Sequence, residues 1–189
     1  MKTDIILSGV GGQGILSIAT IIGHAALTNG LYIKQAEVHG MSQRGGDVQS
    51  NLRISSAPIA SDLIPLGGAD VIISMEPMEA LRYLPYLSKN GWIITSSTPF
   101  INIPNYPDTE KVLDELRSHG NVKLIDIEKI AKENNIPRSM NMILLGATTE
   151  FLGLGEEKIV ESIKTVFAAK GEAVIEMNIK ALELGRTFK

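Results

Sequence analysis

Gly9-Val10-Gly11-Gly12-Gln13-Gly14 has the spacing Gly-x-Gly-x-x-Gly, directly after a short apolar run and directly before an apolar pattern of helical period. Glycine lets such a turn tighten. It also lets an anionic group approach main-chain N–H donors, and it aims the positive end of a helix dipole at that group. A second polar glycine loop follows at Gly40-Met41-Ser42-Gln43-Arg44-Gly45-Gly46, where Arg44 supplies a cation between flexible glycines. Glu37 stands at the end of the second apolar run, roughly where a dinucleotide-binding acid holds an adenosine ribose, so an NAD-binding oxidoreductase is one way to use these residues. The plain alternative is a sharp strand-to-helix turn packed on a neighbouring backbone.

Further groups suited to a phosphate-bearing ligand or an inter-subunit contact are Arg53 and the polar side chains of Gln13, Glu37, Ser42, Gln43 and Asn141. Each has a bland counterpart. Arg44 reads equally as a solvated or ion-paired loop residue, and Glu37 as the acid that orients it. His24, His39 and His119 have no metal-ligand spacing, so no metal is assigned, and no catalytic residue is assigned either. Met75, Met78, Met140 and Met142 read as core or interface filler. The Pro99–Pro107 loop, with Phe100 and Tyr106 inside it, reads as a surface loop or as a partner-facing clamp.

The elements that must position these loops alternate in type. Ile5–Leu7 is a strand, Ile15–Leu27 a helix stopped by Gly30, and Tyr32–Val38 a second strand. Val48, Leu52 and Ile54 alternate with Gln49, Asn51 and Arg53, which predicts a strand with one wet face, antiparallel or at an edge. Val71–Met75 is continuously apolar, as in a parallel strand buried on both faces. A helix from Met78 to about Leu87, a strand at Trp92–Thr95, a helix at Thr109–Ser118 and a strand at Val122–Ile125 continue the alternation. Three helical segments follow, Asn141–Leu152, Glu156–Phe167 and Glu172–Leu184. The pattern predicts a Rossmann-like, doubly wound α/β fold: a mostly parallel sheet with an antiparallel edge and a helical C-terminal region. With no internal repeat or linker, 1–189 reads as one domain. Both glycine loops should emerge from adjacent strand ends.

Composition narrows the function. The 189 residues are 44% hydrophobic and 21% charged, which excludes disorder and fibrous repeats. A net charge of −3 without a dense basic stripe argues against nucleic acid as a partner. There is no cysteine, which removes disulfides, thiol nucleophiles and cysteine-ligated iron–sulfur clusters together. No stretch approaches the ~18 apolar residues of a membrane span, and the start, Met1-Lys2-Thr3-Asp4, is unlike a signal peptide, so the expected location is cytoplasmic.

Taken in order, these motifs resemble the gamma-type domain of the 2-oxoacid:ferredoxin oxidoreductases. The resemblance runs through Gly9-x-Gly11-Gly12-Gln13-Gly14, Glu37, Gly40, Arg44-Gly45-Gly46, Arg53, the turn Ala57-Pro58-Ile59-Ala60-Ser61, and Asn141-Met142-x-x-x-Gly146, across nearly the whole chain. Within the family, Glu37 to Gly46 is similar to the arylpyruvate (indolepyruvate) branch; pyruvate and 2-oxoglutarate enzymes are the neighbouring alternatives. The resemblance implies oxidative decarboxylation of an aryl 2-oxoacid with coenzyme A, giving an aryl-acetyl-CoA, carbon dioxide and reduced ferredoxin. It implies a subunit that is inactive alone. No Gly-Asp-Gly with a downstream asparagine is found, so thiamine diphosphate, magnesium and the iron–sulfur clusters are expected in a larger partner subunit, through which ferredoxin is reached. Coenzyme A is the candidate ligand of this chain. Candidate binding residues are Gly9, Gly11, Gly12, Gln13, Gly14, Glu37, Ser42, Gln43, Arg44, Gly45, Gly46 and Asn141. An NAD-binding enzyme and a purely architectural subunit remain as rivals.

Overall fold

The computed structural model describes residues 1–39 and 45–188. Its sheet has the strand order β2-β3-β1-β4-β5-β6, with β1 Lys2–Val10, β2 Tyr32–His39, β3 Asp47–Ser55, β4 Ala69–Ser74, β5 Leu87–Ser96 and β6 Val122–Ile125. β1, β4, β5 and β6 pair in parallel, whereas β3 runs antiparallel between β1 and β2. The antiparallel strand is therefore inside the sheet, and β2 forms the edge.

Alternation along the central strands divides the core. Ile5, Leu7, Val71, Ile73 and Ile94 face one side, where they pack with α1 (Ile15–Thr28), α5 (Met140–Leu152), α6 (Glu156–Val166) and α7 (Glu172–Arg186). Ile6, Ile72 and Ile93 face the other, against Ile64 and Tyr83 and against Ala80 of α2 (Pro77–Arg82) and Leu113 and Leu116 of α3 (Thr109–Ser118). Strands covered on both faces read as unbroken apolar runs, which is why Val71–Ile73 was so plain in the sequence. On the first side α5 and α7 touch backbone to backbone: a Cβ at Gly146 would lie 2.0 Å from the Leu182 carbonyl oxygen, and one at Gly185 1.8 Å from that of Ile143.

Three expectations are corrected. The helix starting near Met78 ends at Arg82, because Pro85 has no N–H to continue it; Leu84–Tyr86 is a 3₁₀ turn and Leu87 already belongs to β5. A short helix, α4 (Ile127–Glu133), follows β6 directly, its first turn capped by Asp126, which accepts from Lys129 N at 2.9 Å. The supposed wet face of β3 is covered. Asn51 is buried and accepts from Ile64 N at 3.1 Å, and Arg53 forks onto the buried Asp4 carboxylate at 2.8 and 3.0 Å. Arg53 also donates to the carbonyls of Ser61 and Leu63, fixing the Pro58–Ser61 turn. It serves structure at the end of the sheet away from the glycine loops, and is not a cation of their site. Burial pushes the Asp4 carboxyl up, but the hydrogen bonds from Arg53 and Lys2 outweigh it and hold Asp4 below its ordinary range. No helix among the described residues is long and apolar enough to cross a membrane.

Candidate functional site

The chain turns from β1 into α1 through the first glycine loop, and it is here that successive connections diverge: β1 leads by way of α1 to β2 on one flank, whereas β4 leads to β5 and β6 on the other. Open α/β sheets bind ligands at such a point, outside the carboxyl ends of the strands. A cavity of about 550 Å³ lies there, lined by Gly11, Gly12 and Gln13 after β1, Met75 after β4, Ser96 at the end of β5 with Thr98, Pro99 and Phe100 after it, Arg138 just before α5 and Asn141 at its start.

The glycines divide into two kinds. Gly9 and Gly14 are closely packed: a Cβ on Gly9 would meet Gln13 Oε1 of the same turn at 2.9 Å, and one on Gly14 would meet Asn141 Nδ2 of α5 at 2.6 Å. Gly14 is also left-handed, with φ 83°. Gly12 differs. Its φ is 103°, yet nothing lies within 4 Å of where its Cβ would be. It leaves bare backbone open to the cavity. Gln13 closes the turn from inside, accepting from Val10 N at 2.7 Å and donating to the Met75 carbonyl at 3.4 Å.

α1 begins without a side-chain cap and without an acid in its first turn. The N–H groups of Gly12, Ile15 and Leu16 find no acceptor among the described residues. A helix N-terminus in that state carries about half a positive charge and attracts anions.

The two glycine loops meet. Gly11 N donates to the Gly46 carbonyl at 2.8 Å and Gly45 N to the Gly11 carbonyl at 3.3 Å, continuing the Val10–Asp47 register beyond the strands. Asn141 Nδ2 donates to the Gly14 carbonyl at 3.1 Å. The structure thus brings Gly9, Gly11, Gly12, Gln13, Gly14, Gly45, Gly46 and Asn141 into one region. Gly40, Met41, Ser42, Gln43 and Arg44 lie outside the described residues. Glu37 does not join the site. It is exposed on β2, accepts from Gln35 Nε2 at 2.6 Å, and is separated from β1 by the whole width of β3. A dinucleotide-binding acid ends the strand beside β1, and β3 occupies that place here.

Four residues of the region were missed or left as surface. Arg138 is an exposed cation in the cavity wall with no ion pair among the described residues. Asn102 donates to the Gly45 carbonyl at 2.6 Å, which ties the Pro99–Pro107 loop to the glycine loop. Tyr106 of the same loop donates to the buried Glu76 carboxylate. A charge ending a buried strand, as Glu76 does after Val71–Met75, was the signal available in the sequence; nothing local distinguished Arg138 or Asn102.

The family model described as pyruvate ferredoxin/flavodoxin oxidoreductase matches residues 4–188. The chain belongs to that family and is a subunit of a 2-oxoacid:ferredoxin oxidoreductase. It is 39% identical, over 96% of its length and 93% of the relative's, to indolepyruvate oxidoreductase subunit IorB of Thermococcus kodakarensis. With IorB of Archaeoglobus fulgidus the identity is 35%, over 98% and 94% of the two chains. Pyruvate oxidoreductase subunit PORC of Thermotoga maritima superposes with a TM-score of 0.71 at 23% identity, covering 97% of this chain and 94% of that one. A 2-oxoglutarate:ferredoxin oxidoreductase from Magnetococcus marinus, solved with 2-oxoglutarate, coenzyme A and succinyl-CoA bound, gives 0.76 at 24%, covering 98% of this chain and 30% of that one. At these identities the structural likeness is one of fold.

Proposed function

We infer that this chain is the small subunit of an indolepyruvate-type ferredoxin oxidoreductase of the cytoplasm and that its cleft takes the phosphate-bearing part of coenzyme A. The reaction is oxidative decarboxylation: an aryl 2-oxoacid and coenzyme A give an aryl-acetyl-CoA and carbon dioxide, and the electrons pass to ferredoxin. Identities of 39% and 35%, each over nearly the whole chain, to two indolepyruvate oxidoreductase subunits support the substrate class. The observation that carries the ligand is the uncapped start of α1 beside the bare backbone of Gly12, at the mouth of a 550 Å³ cavity.

The residues of this chain do not fit the redox groups of the reaction. It has no cysteine for a cluster, and the described residues hold no group of three His, Cys, Asp or Glu that could bind a metal ion. Thiamine diphosphate, magnesium and iron–sulfur clusters are therefore assigned to a larger partner subunit, which also receives ferredoxin. This chain's own groups bind and orient. The Gly12 amide on the cavity wall and the uncapped start of α1 that follows it suit a phosphate, Arg138 adds a cation, Asn141 fixes the turn, and Phe100 walls the cavity. Glu37, Ser42, Gln43 and Arg44 remain candidates for the subunit contact.

Co-expression with a large thiamine and iron–sulfur subunit should give ferredoxin reduction that needs both indolepyruvate and coenzyme A, whereas this chain alone should be colourless and inactive. Reduction with pyruvate and not indolepyruvate would move the chain to another branch. Calorimetric NAD binding to the complex without coenzyme A binding would favour the dinucleotide alternative.

A further inference from the structure

Residues 99–107 lie between β5 and α3 and line the cleft with Pro99 and Phe100, and two of their anchors converge on one buried group. Glu76 is 1% exposed. Its Oε2 caps α2, accepting from Glu79 N at 2.8 Å, and its Oε1 accepts from Tyr106 Oη at 2.5 Å and from Phe100 N at 3.4 Å. One carboxylate oxygen therefore gathers both ends of the segment, residues that lie 24 and 30 positions away in sequence. Asn102, between them, is clipped to the Gly45 carbonyl at 2.6 Å. The upstream end is closed by Thr98, whose N–H donates to Ser96 Oγ at 3.0 Å. Phe100, Ile101 and Ile103 stay 44%, 66% and 38% exposed, so burial of apolar side chains does not hold this segment in place.

The geometry points to Glu76 as a positioning residue for the cleft: its carboxylate, acting through Tyr106 and the Phe100 amide, holds residues 99–107 as a strap whose Phe100 and Pro99 form one wall of the ligand cavity. Glu76 does not line the cavity itself, whereas its chain neighbour Met75 and its bonded partner Phe100 do. A buried carboxylate with three donors is costly to place and strongly directional. Were the strap only a surface loop, an apolar plug beneath it would serve as well. Burial pushes the Glu76 carboxyl up, and the bonds from Tyr106, Glu79 and Phe100 pull against this. The Tyr106 phenol is held well above its ordinary range, by burial and then by its bond to Glu76, so it stays a donor.

That the wall serves a coenzyme A site rests on the function proposed above, and the test separates the two. In the complex with the large subunit, Tyr106→Phe removes one hydroxyl from the strap's underside, and Glu76→Gln keeps an acceptor of the same shape. Amide exchange across 98–107 should speed up about tenfold in Tyr106→Phe, the equivalent of one charge-assisted bond, with Glu76→Gln intermediate and the rest of the chain unchanged. KM for coenzyme A should rise roughly threefold to tenfold in Tyr106→Phe while kcat stays within about twofold, and Glu76→Gln should recover part of the loss seen in Glu76→Ala. Unchanged exchange in both variants would overturn the proposal. So would faster exchange with an unchanged KM, which would leave an ordinary surface loop. If the wild-type complex showed no saturable dependence on coenzyme A, the assigned ligand would be wrong, and the same KM comparison made with the 2-oxoacid would still decide the role of Glu76.

Discussion

Asn141 and Gly14 are held in contact from opposite parts of the chain: the asparagine amide donates to the glycine carbonyl at 3.1 Å, and a Cβ on the glycine would lie 2.6 Å from the same nitrogen. The start of α5 thus sets the shape of the turn into α1. Asn141→Ala should cost about 1 kcal/mol of stability, the worth of one neutral hydrogen bond. Asn141→Asp should weaken coenzyme A binding further than Asn141→Ala, because it adds a negative charge beside a site built from amide donors. Titration calorimetry on the complex distinguishes the two; equal affinities would separate Asn141 from the anion site.

Gly12→Ala tests the open backbone. A φ of 103° strains any side chain, so the variant should lose about 1–2 kcal/mol of stability, but no clash is added because the space is empty. KM for coenzyme A should rise about tenfold or more as the methyl displaces a phosphate from the amides. A wild-type KM in a folded Gly12→Ala complex would show that nothing approaches this backbone. Gly12→Val adds β-branched strain at the same φ and is the poorer probe.

Gly185→Ala should destabilise the chain by about 3 kcal/mol, because its Cβ would sit 1.8 Å from the Ile143 carbonyl oxygen and α7 must move off α5. Gly146→Ala meets Leu182 at 2.0 Å in the same crossing. Once the helices have parted for one methyl they have room for the other, so the double variant should cost less than the two single changes added. Urea unfolding of the four proteins measures this, and simple additivity would contradict it.

Acid should reveal the Asp4–Arg53 pair. Asp4 is held below its ordinary value of 3.8, so its contribution is fully present above that pH and is lost as pH falls through the lower folded value. Asp4→Asn should cost about 3 kcal/mol near pH 7, and the gap from wild type should close as pH drops below about 3.8. Glu76, pushed above 4.5, acts with the opposite sign: its contribution diminishes as pH rises through the raised value. Unfolding free energies from pH 3 to 7 for wild type and Asp4→Asn decide the matter; a gap independent of pH would remove the ion pair from the account.

Much of this was legible in the chain. Val71–Ile73, α1 and α3 announced themselves because their burial is continuous or strictly periodic. The convergence of the glycine loops followed from both lying at strand ends. Arg53 misled because a polar residue in an alternating strand looks solvated, and only the fold brings Asp4 across from the neighbouring strand. Glu37 misled because the sequence cannot say which strand lies beside β1. Glu76, Tyr106, Asn102 and Arg138 work through partners far along the chain, and no local pattern encodes such pairs.

β3 stands between β1 and β2, and this has a bearing on how the protein is made. The glycine turn and α1 are synthesised early, yet β1 and β2 are joined in the sheet only through β3. A nascent chain that ends before Asp47 holds β1 and β2 but not the strand that joins them. Sheet formation on the ribosome must wait until β3 through Ser55 has emerged, when two antiparallel ladders close at once. The first glycine turn is thus among the first segments translated and acquires its geometry only after Gly45 and Gly46 have followed it out.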